Sequence, residues 1–167
     1  MATGDSLVYF DALAGRPPGT DPAHLDSRNG NYVLDFSQND DLRVDFHGVL
    51  PGHYRQGGAR VKVAWAATSV TTGDVVWRAE FERRESADSG SPFDLDVDAF
   101  GTVVEATATV PSVNGRLAIT EIVVSSAEMS GAEAGDLFRL RVTRVGNDSA
   151  DTAADDAELY SVQLSEA

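Results

Sequence analysis

Carboxylates are the side chains of this sequence whose types and spacing could carry chemistry. One loop, within "VGNDSADTAADD", holds four of them: Asp148, Asp151, Asp155 and Asp156. A second set alternates along "FDLDVDAF": Asp94, Asp96 and Asp98. Calcium needs about six to eight oxygens at about 2.3–2.6 Å, usually on a loop with glycine at its sharp turn. The order D-x-[DN]-x-[DN]-G is missing, so we predict a structural, solvated loop and a solvated strand face, with calcium as the alternative at both.

Enzymatic chemistry has little support elsewhere in the sequence. No acid is flanked by the apolar surroundings that would raise its pKa above that of a partner, as a glycosidase pair requires. The three histidines are not spaced as zinc ligands are: His24, His47 and His53. The sequence also lacks G-x-S-x-G and glycine-rich phosphate loops. We therefore predict a protein that is not an enzyme, with no catalytic residue, no cofactor and no metal.

The elements that must position any site are β-strands, because apolar residues recur with a period of two. In "ARVKVAWAAT", Val61, Val63 and Trp65 alternate with polar or small residues, and "GDVVWRAEFERR" repeats the pattern. β-Branched and aromatic residues are concentrated in the same stretches. The pattern predicts eight strands, over residues 31–37, 42–50, 59–68, 73–84, 102–110, 117–126, 136–144 and 157–164.

Eight strands separated by turn signals predict an all-β fold, a two-sheet antiparallel β-sandwich of the eight-stranded jelly-roll type. An immunoglobulin-like sandwich is the alternative, but its usual Cys and Trp landmarks are missing. Both tryptophans follow the strand period, which favours the core over a sugar-stacking platform. The predicted core consists of Val63, Trp65, Val75, Trp77, Phe81, Phe138, Leu140, Val142, Tyr160, Val162 and Leu164.

The first thirty residues have a different composition, rich in Pro, Gly and Asp, with no predicted strand. We interpret residues 1–30 as an extended N-terminal arm and residues 31–167 as the β-sandwich domain. Because such a segment buries little surface by itself, we expect a partner to order it. Deletion of residues 1–30 should then leave the sandwich folded but weaken assembly.

The composition limits the class of partner. The chain has 167 residues, enough for one sizeable core, and a formal net charge of −14. Such a charge repels phosphate backbones and anionic membranes, so we expect no nucleic acid and no membrane among the partners. Cysteine is absent, which excludes disulfides and thiol chemistry. The amino-terminal sequence does not resemble a signal peptide, and no apolar run is long enough for a membrane span, so we expect a soluble protein that is not exported by the usual signal.

One arginine-rich strand has two interpretations. Arg139, Arg141 and Arg144 are assigned to its outer face, where they form a solvated or sheet-covering stripe. On so acidic a body they could instead pair with carboxylates of a neighbouring subunit. The second interpretation predicts a homo-oligomer, most simply a trimer.

Three stretches resemble a β-sandwich module of tailed-bacteriophage virion structural proteins: "VKVAWAATSVTTGDVVWRAEFERR", "TEIVV" and "AGDLFRLRVTRVGNDSADTAADDAELYSVQL". The resemblance covers about residues 42–165. The matching positions are Trp65, Thr72, Gly73, Asp74, Trp77, Gly135, Asp136, Arg144, Asp151 and Thr152. Their expected roles are structural: Gly135 and Asp136 end a turn, Arg144 reaches Asp151, and Thr152 fixes the turn through its hydroxyl.

The resemblance implies a jelly-roll protein of the head or tail that forms a homotrimer. Its implied function is non-enzymatic, as a capsid decoration or spike component on the capsid or tail surface, made in the host cytoplasm. Its implied partners are further copies of itself and other virion proteins such as the major capsid protein. The alternative is a receptor- or carbohydrate-binding module of a phage tail or fibre, using loop carboxylates and an exposed aromatic residue such as Tyr54.

Overall fold

A computed structural model describes residues 4–85 and 93–167. Most of the turn predicted at "ESADSGSP" lies outside the described residues. Within them the chain forms a short 3₁₀ helix, Ala12–Ala14, and ten strands. The strands are β1 (Ser6–Asp11), β2 (His24–Arg28), β3 (Asn31–Phe36), β4 (Arg43–Val49), β5 (Ala59–Ala67), β6 (Asp74–Arg84), β7 (Val104–Thr109), β8 (Ala118–Val124), β9 (Leu137–Arg144) and β10 (Ala157–Glu166). No helix among these residues is long and apolar enough to cross a membrane.

The strands form two antiparallel sheets that pack face to face. The larger sheet has the order β2-β3-β10-β5-β8, with β1 also paired to β10, and the smaller sheet has the order β4-β9-β6-β7. The predicted fold class, a two-sheet jelly-roll sandwich, is confirmed. All eight predicted strands are present within a few residues of their expected bounds. The described chain has ten strands rather than eight, because β1 and β2 were not predicted.

The core lies between the sheets and follows the alternation of the strands. Every predicted core residue is buried except Tyr160, which is 36% exposed. Tyr160 differs because the pairing of β10 with β5 shifts register between Leu159 and Ser161. Such a β-bulge places one extra residue on one strand, so the side chain at the bulge turns to the other face. Leu159 and Val162 therefore both lie in the core, and Tyr160 points outward.

The prediction that the first thirty residues contain no strand is wrong. β1 pairs with the second half of β10, and β2 forms a hairpin with β3. Phe10 is buried in the core and stacks on Phe46 with ring centroids 5.2 Å apart. The segment "SLVYFD" has a half-buried alternation, but it is only six residues long and precedes a Pro- and Gly-rich stretch. The division at residue 30 stays a prediction, and these pairings argue against it.

Arg144 is a buried residue of the core rather than a member of an outer stripe. It follows Phe138, Leu140 and Val142 on the core face of β9, and its side chain has 0% exposure. Its guanidinium donates two hydrogen bonds to the Asp151 carboxylate, at 3.0 and 2.7 Å. The remaining donors reach three backbone carbonyls, those of Phe36, Ala153 and Asp155. A buried ion pair is tolerated only when its remaining donors are also satisfied, which these carbonyls do for the arginine.

Replacing Arg144 should be among the most damaging single changes. Arg144→Met keeps much of the side-chain volume but leaves the Asp151 carboxylate, only 1% exposed, without its cation. We expect a loss of about 3–5 kcal/mol in the free energy of unfolding, measured by urea denaturation. Arg78→Met, which breaks an ion pair with Glu105 at the surface, is the matched control and should cost less than about 1 kcal/mol. Equal losses in the two variants would contradict the structural role of Arg144.

Deletion of residues 1–30 should destabilise the sandwich, contrary to the expectation for an independent arm. The deletion removes β1 from β10, removes β2 from β3 and leaves a cavity where Phe10 packs on Phe46. Loss of one buried phenylalanine side chain alone costs about 3–5 kcal/mol. Thermal melting followed by circular dichroism would measure the effect, with a deletion of residues 1–3 as the control. An unchanged melting temperature after the longer deletion would restore the arm interpretation.

Candidate ligand-binding cleft

The β-bulge in β10 positions the central side chain of the candidate site. Leu159 pairs with Trp65 and Ser161 pairs with Ala64, so Tyr160 has no partner of its own on β5. Its side chain lies on the outer face of the larger sheet and borders a cleft of about 530 Å³. We call this the Tyr160 cleft. Because bulges often redirect a side chain at a functional site, the cleft is the strongest candidate on this face.

Four segments of the chain build the Tyr160 cleft: the β2–β3 hairpin, the end of β5, the first residues of β10 and the loop before β8. Its polar lining consists of Arg28, Asn29, Asn31, Asn114 and Glu158. Apolar contacts come from Val33, Ala66 and Leu117. A concave surface with an aromatic ring, an apolar floor and a few fixed polar groups is the usual composition of a small-ligand site.

Arg28 is the polar centre of the cleft. Its Nη1 donates to Glu158 Oε2 at 2.5 Å and to the carbonyl of Ala67 at 3.1 Å. Its Nη2 donates to Asn114 Oδ1 at 3.3 Å, which ties the β2–β3 hairpin to the loop before β8. The Arg28 side chain is 30% exposed and that of Glu158 is 8% exposed. The pair thus presents partly exposed donors that are already fixed in place, with no net charge.

The hairpin that carries Arg28 depends on its turn. Asn29 and Gly30 both have positive φ angles, +49° and +79°. Asn-Gly is the preferred dipeptide of a two-residue β-hairpin turn with both central residues in this conformation. Asn31 then donates from its side-chain Nδ2 to the carbonyl of Arg28 at 3.2 Å. The dipeptide "NG" between "HLDSR" and "NYVLDF" was the signal that could have predicted this hairpin from the sequence.

A second, smaller cleft adjoins the first one around Tyr160. It has a volume of about 190 Å³ and shares Asn31 and Tyr160 with the Tyr160 cleft. Tyr32 lines it and is 53% exposed. Tyr9 is 59% exposed and is paired through β1 with Gln163 of β10. Exposed tyrosine rings beside amide and carboxylate groups therefore extend the polar and aromatic surface beyond a single pocket.

Negative charge lies next to the Tyr160 cleft. Burial, and after it the negative charges of Glu158, Asp26 and Asp156, raises the pKa of Asp35 from 3.8 to about 6. Asp35 Oδ1 is buried and has no hydrogen-bond partner among the described residues. In that part of the chain no group of three or more His, Cys, Asp or Glu residues is arranged to hold a metal ion. These carboxylates disfavour an anionic ligand at this end of the sheet.

The residues of the sequence motif lie elsewhere and contribute to packing. Trp65 and Trp77 are fully buried with ring centroids 5.9 Å apart. Gly73 has φ +98°, and a Cβ there would lie 2.7 Å from Ala153 Cα, so the close approach of these two segments requires glycine. The hydroxyl oxygen of Thr152 accepts a hydrogen bond from the backbone N–H of Asp74 at 2.9 Å.

The motif residues Gly135 and Asp136 lie in a different turn from Thr152. Gly135 has φ +89° and donates its N–H to the carbonyl of Leu50 at 2.8 Å. Asp136 accepts from Arg83 Nε at 2.6 Å and from the backbone N–H of Glu133 at 2.8 Å. The structure therefore brings Arg144, Asp151, Thr152 and Asp74 together, and it places Gly135 and Asp136 in a separate turn. None of the motif residues lines the Tyr160 cleft.

The acidic rows are occupied by internal contacts. Asp155 accepts from Ser69 Oγ and from the backbone N–H of Asp156, and Asp148 accepts from the backbone N–H of Ala150 at 2.8 Å. The prediction that Asp94, Asp96 and Asp98 share one face of a strand is wrong, because this segment is a turn and coil. There, Asp94 Oδ1 accepts from the N–H of Asp96 at 2.9 Å, and Asp98 pairs with Arg139.

Three further expectations about exposed residues have mixed outcomes. Tyr54, expected to be exposed, is only 5% exposed, and its hydroxyl accepts from the N–H of Gly58. Arg139 and Arg141 do lie on the outer face of β9, where Arg141 binds both oxygens of Asp45 at 2.7 and 2.9 Å. Both guanidinium groups also lie over the Phe100 ring, at 4.3 and 4.4 Å from its centroid. Their carboxylate partners thus belong to the same chain.

Asp35 makes the stability of the protein depend on pH. Its folded-state pKa of about 6 lies above its ordinary value of 3.8, so the folded chain binds more protons than the unfolded chain between these values. The contribution of Asp35 to the free energy of unfolding should therefore fall as the pH rises through this window, opposite in sign to the contributions of Glu82, Asp98 and Asp155, whose pKa values are lowered in the folded protein. Asp35→Asn should remove this contribution to the slope and stabilise the protein at neutral pH by on the order of 1 kcal/mol, allowing for solvent screening.

Urea unfolding at several pH values across this window measures the effect. Asp96→Asn, at an exposed turn position, is the matched control and should keep the wild-type slope. A variant Asp35→Asn with an unchanged pH dependence would show that the carboxylate is ionised normally in the folded protein.

Comparisons with known proteins add information on the fold alone. No protein-family model matches the sequence, and no curated protein sequence matches it. The structure is similar to the C-terminal CBM6 of LamC, a marine laminarinase from Zobellia galactanivorans, with a TM-score of 0.50, 9% identity, and coverage of 95% of this chain and 98% of that one. It is also similar to the CBM22-1 xylan-binding domain of Xyn10C from Paenibacillus barcinonensis, with a TM-score of 0.52, 12% identity, and coverage of 99% and 97%. The fold of this chain is thus one that carbohydrate-binding modules use.

Proposed function

We propose that the protein is a non-enzymatic binding module that holds a neutral carbohydrate in the Tyr160 cleft. One observation carries this proposal. The β-bulge turns Tyr160 away from the core, and its side chain borders a cleft that is also lined by the Arg28–Glu158 pair and three asparagines. The sequence suggested Tyr54 as the aromatic residue of a sugar-binding module. Tyr54 is buried, so we assign this role to Tyr160 instead.

The chemistry of a sugar ring matches these groups. A pyranose has an apolar C–H face that packs on an aromatic ring, and hydroxyls around its edge that both donate and accept hydrogen bonds. Tyr160 supplies the ring surface, and Arg28 supplies donors. Glu158 and the asparagine side chains supply acceptors and further donors. Because Arg28 is already held by Glu158 and Asn114, these groups lose little conformational freedom when a ligand binds.

The neutral class of sugar follows from the charge of the surroundings. Glu158 neutralises the cleft arginine at 2.5 Å, and Asp26, Asp35 and Asp156 lie on the same side of the sheet. A carboxylate or sulfate on the ligand would meet these charges without a free cation to bind. The two similar structures support the same general class, since both are carbohydrate-binding modules and one is named for xylan.

The wider setting of the module stays a prediction. A receptor- or carbohydrate-binding module of a phage tail or fibre would use the Tyr160 cleft in the same way. The capsid-decoration role, the homotrimer, the major capsid protein as partner and the virion location rest on the resemblance in the sequence and are proposed on that basis.

Binding to a panel of soluble polysaccharides tests the proposal. Affinity electrophoresis would compare neutral chains, such as xylan and mixed-linked β-glucan, with acidic chains such as polygalacturonate. We expect retention in at least one neutral gel and none in the acidic gel. Tyr160→Ala should weaken the binding about tenfold or more, because a central aromatic residue contributes about 2 kcal/mol at a binding site.

Tyr160→Phe is the matched control, because it keeps the ring and should keep most of the affinity. Circular dichroism on each variant would establish that the sandwich is folded. The proposal would be overturned if folded Tyr160→Ala were retarded in a neutral gel as strongly as the wild type. It would also be overturned if no neutral polysaccharide retarded the wild type.

A further inference from the structure

A separate pocket lies at one end of the smaller sheet, on its outer face. It has a volume of about 340 Å³ and is bordered by three basic side chains, Arg16, His47 and Arg84. Apolar side chains complete its wall: Val49, Leu137 and Phe138. We call it the Arg16 pocket. It shares no residue with the Tyr160 cleft.

Arg16 is held against the smaller sheet by its backbone. The loop that follows the 3₁₀ helix forms a β-bridge with the edge strand β4. The Arg16 N–H donates to the carbonyl of Asp45 at 2.8 Å, and the Asp45 N–H donates to the carbonyl of Arg16 at 3.0 Å. These two bonds fix the position of the Arg16 backbone beside β4, and its exposed side chain extends to His47.

His47 is contacted by two guanidinium groups at the same ring nitrogen. Arg16 Nη1 lies 3.5 Å and Arg84 Nη1 lies 3.3 Å from His47 Nδ1. Since a guanidinium only donates, these contacts favour the tautomer with the lone pair on Nδ1 and the proton on Nε2. Burial lowers the pKa of His47, and Arg16 and Arg84 lower it further, which favours the neutral ring. Two positive groups therefore converge on one neutral acceptor.

The charges around the Arg16 pocket are balanced at every arginine except Arg16. Arg84 Nε binds Glu82 Oε1 at 2.8 Å. Arg139 and Arg141 bind Glu82, Asp98 and Asp45. Arg16 has no carboxylate within 4.0 Å among residues 4–85 and 93–167. On a chain with a net charge of −14, a guanidinium without a carboxylate partner, beside a second guanidinium on the same neutral ring, is a place where an external anion is favoured.

We propose that the Arg16 pocket binds the oxyanion group, a carboxylate or a sulfate ester, of an organic ligand such as an acidic sugar. Arg16 is the main charged contact, and Arg84 and His47 line the pocket beside it. The uncharged part of the ligand lies on Val49 and Leu137, which are 51% and 50% exposed. The site is separate from the neutral-sugar cleft and does not depend on it.

Nuclear magnetic resonance on the full chain can test this site through the His47 ring signals. The probes are D-glucuronate, glucose 6-sulfate, inorganic sulfate and D-glucose, added at constant ionic strength. We expect saturable shifts with the two acidic sugars, weaker binding of inorganic sulfate and none of D-glucose. Bound anion should also raise the pKa of His47, because it offsets the charges of Arg16, Arg84 and Arg139 that face the ring, while Asp45 on the same strand is unchanged.

Matched variants separate this site from general charge effects. Arg16→Gln should weaken the binding of the acidic sugars tenfold or more and abolish the rise in the pKa of His47. Arg78→Gln, on the same sheet face but paired with Glu105, and Tyr160→Ala, in the other cleft, should leave both unchanged. The proposal is overturned if the wild type shows no saturable shift, if Arg78→Gln loses as much affinity as Arg16→Gln, or if inorganic sulfate binds as tightly as glucose 6-sulfate.

Discussion

The buried ion pair between Arg144 and Asp151 is the interaction on which the arrangement of the sites depends. The arginine leaves the end of β9 in the smaller sheet and binds the carbonyl of Phe36 on β3 in the larger one. Its other bonds fix Asp151, Ala153 and Asp155 in the loop that leads into β10. One guanidinium thereby joins both sheets to the loop before β10. Because β10 begins two residues after Asp155, its first residues, and with them Glu158 and Tyr160, are positioned by this pair.

The two faces of the sandwich differ in how their charges are compensated. On the larger sheet, Arg28 is matched by Glu158, and Asp26, Asp35 and Asp156 add uncompensated negative charge. The smaller sheet has a network of arginines on Asp45 and Glu82, and Arg16 stands at its edge with no such partner among the described residues. The net charge of −14 is a property of the whole chain and does not give the local charge of either face. A ligand meets the local field of a cleft, so opposite classes of ligand can suit opposite faces of one acidic domain.

The sequence was sufficient for the strands with a clean alternation and for the core that they form, because a period of two is a local property of the chain. It was insufficient wherever a distant residue decides the outcome. Arg144 was expected to reach Asp151 but was assigned to the surface, because a charged residue is rarely buried unless it is paired and the carbonyl of Phe36, 108 residues away, is brought to it only by folding. β1 was missed because its stability comes from pairing with β10, at the other end of the chain. The Asn29–Gly30 turn was a local signal, and it alone would have located one wall of the cleft.

Tyr160 shows why the candidate site in particular escaped prediction. In "AELYSVQL" an unbroken alternation that keeps Val162 and Leu164 in the core also places Tyr160 there. The bulge adds one residue, so Leu159 takes the core position and Tyr160 moves to the outer face without loss of a core contact by Val162 or Leu164. A side chain can thus be exposed in a strand whose composition suits the interior. Departures of this kind from the local pattern concentrate at functional sites, since the strand gains nothing in its own packing from an aromatic ring in solvent.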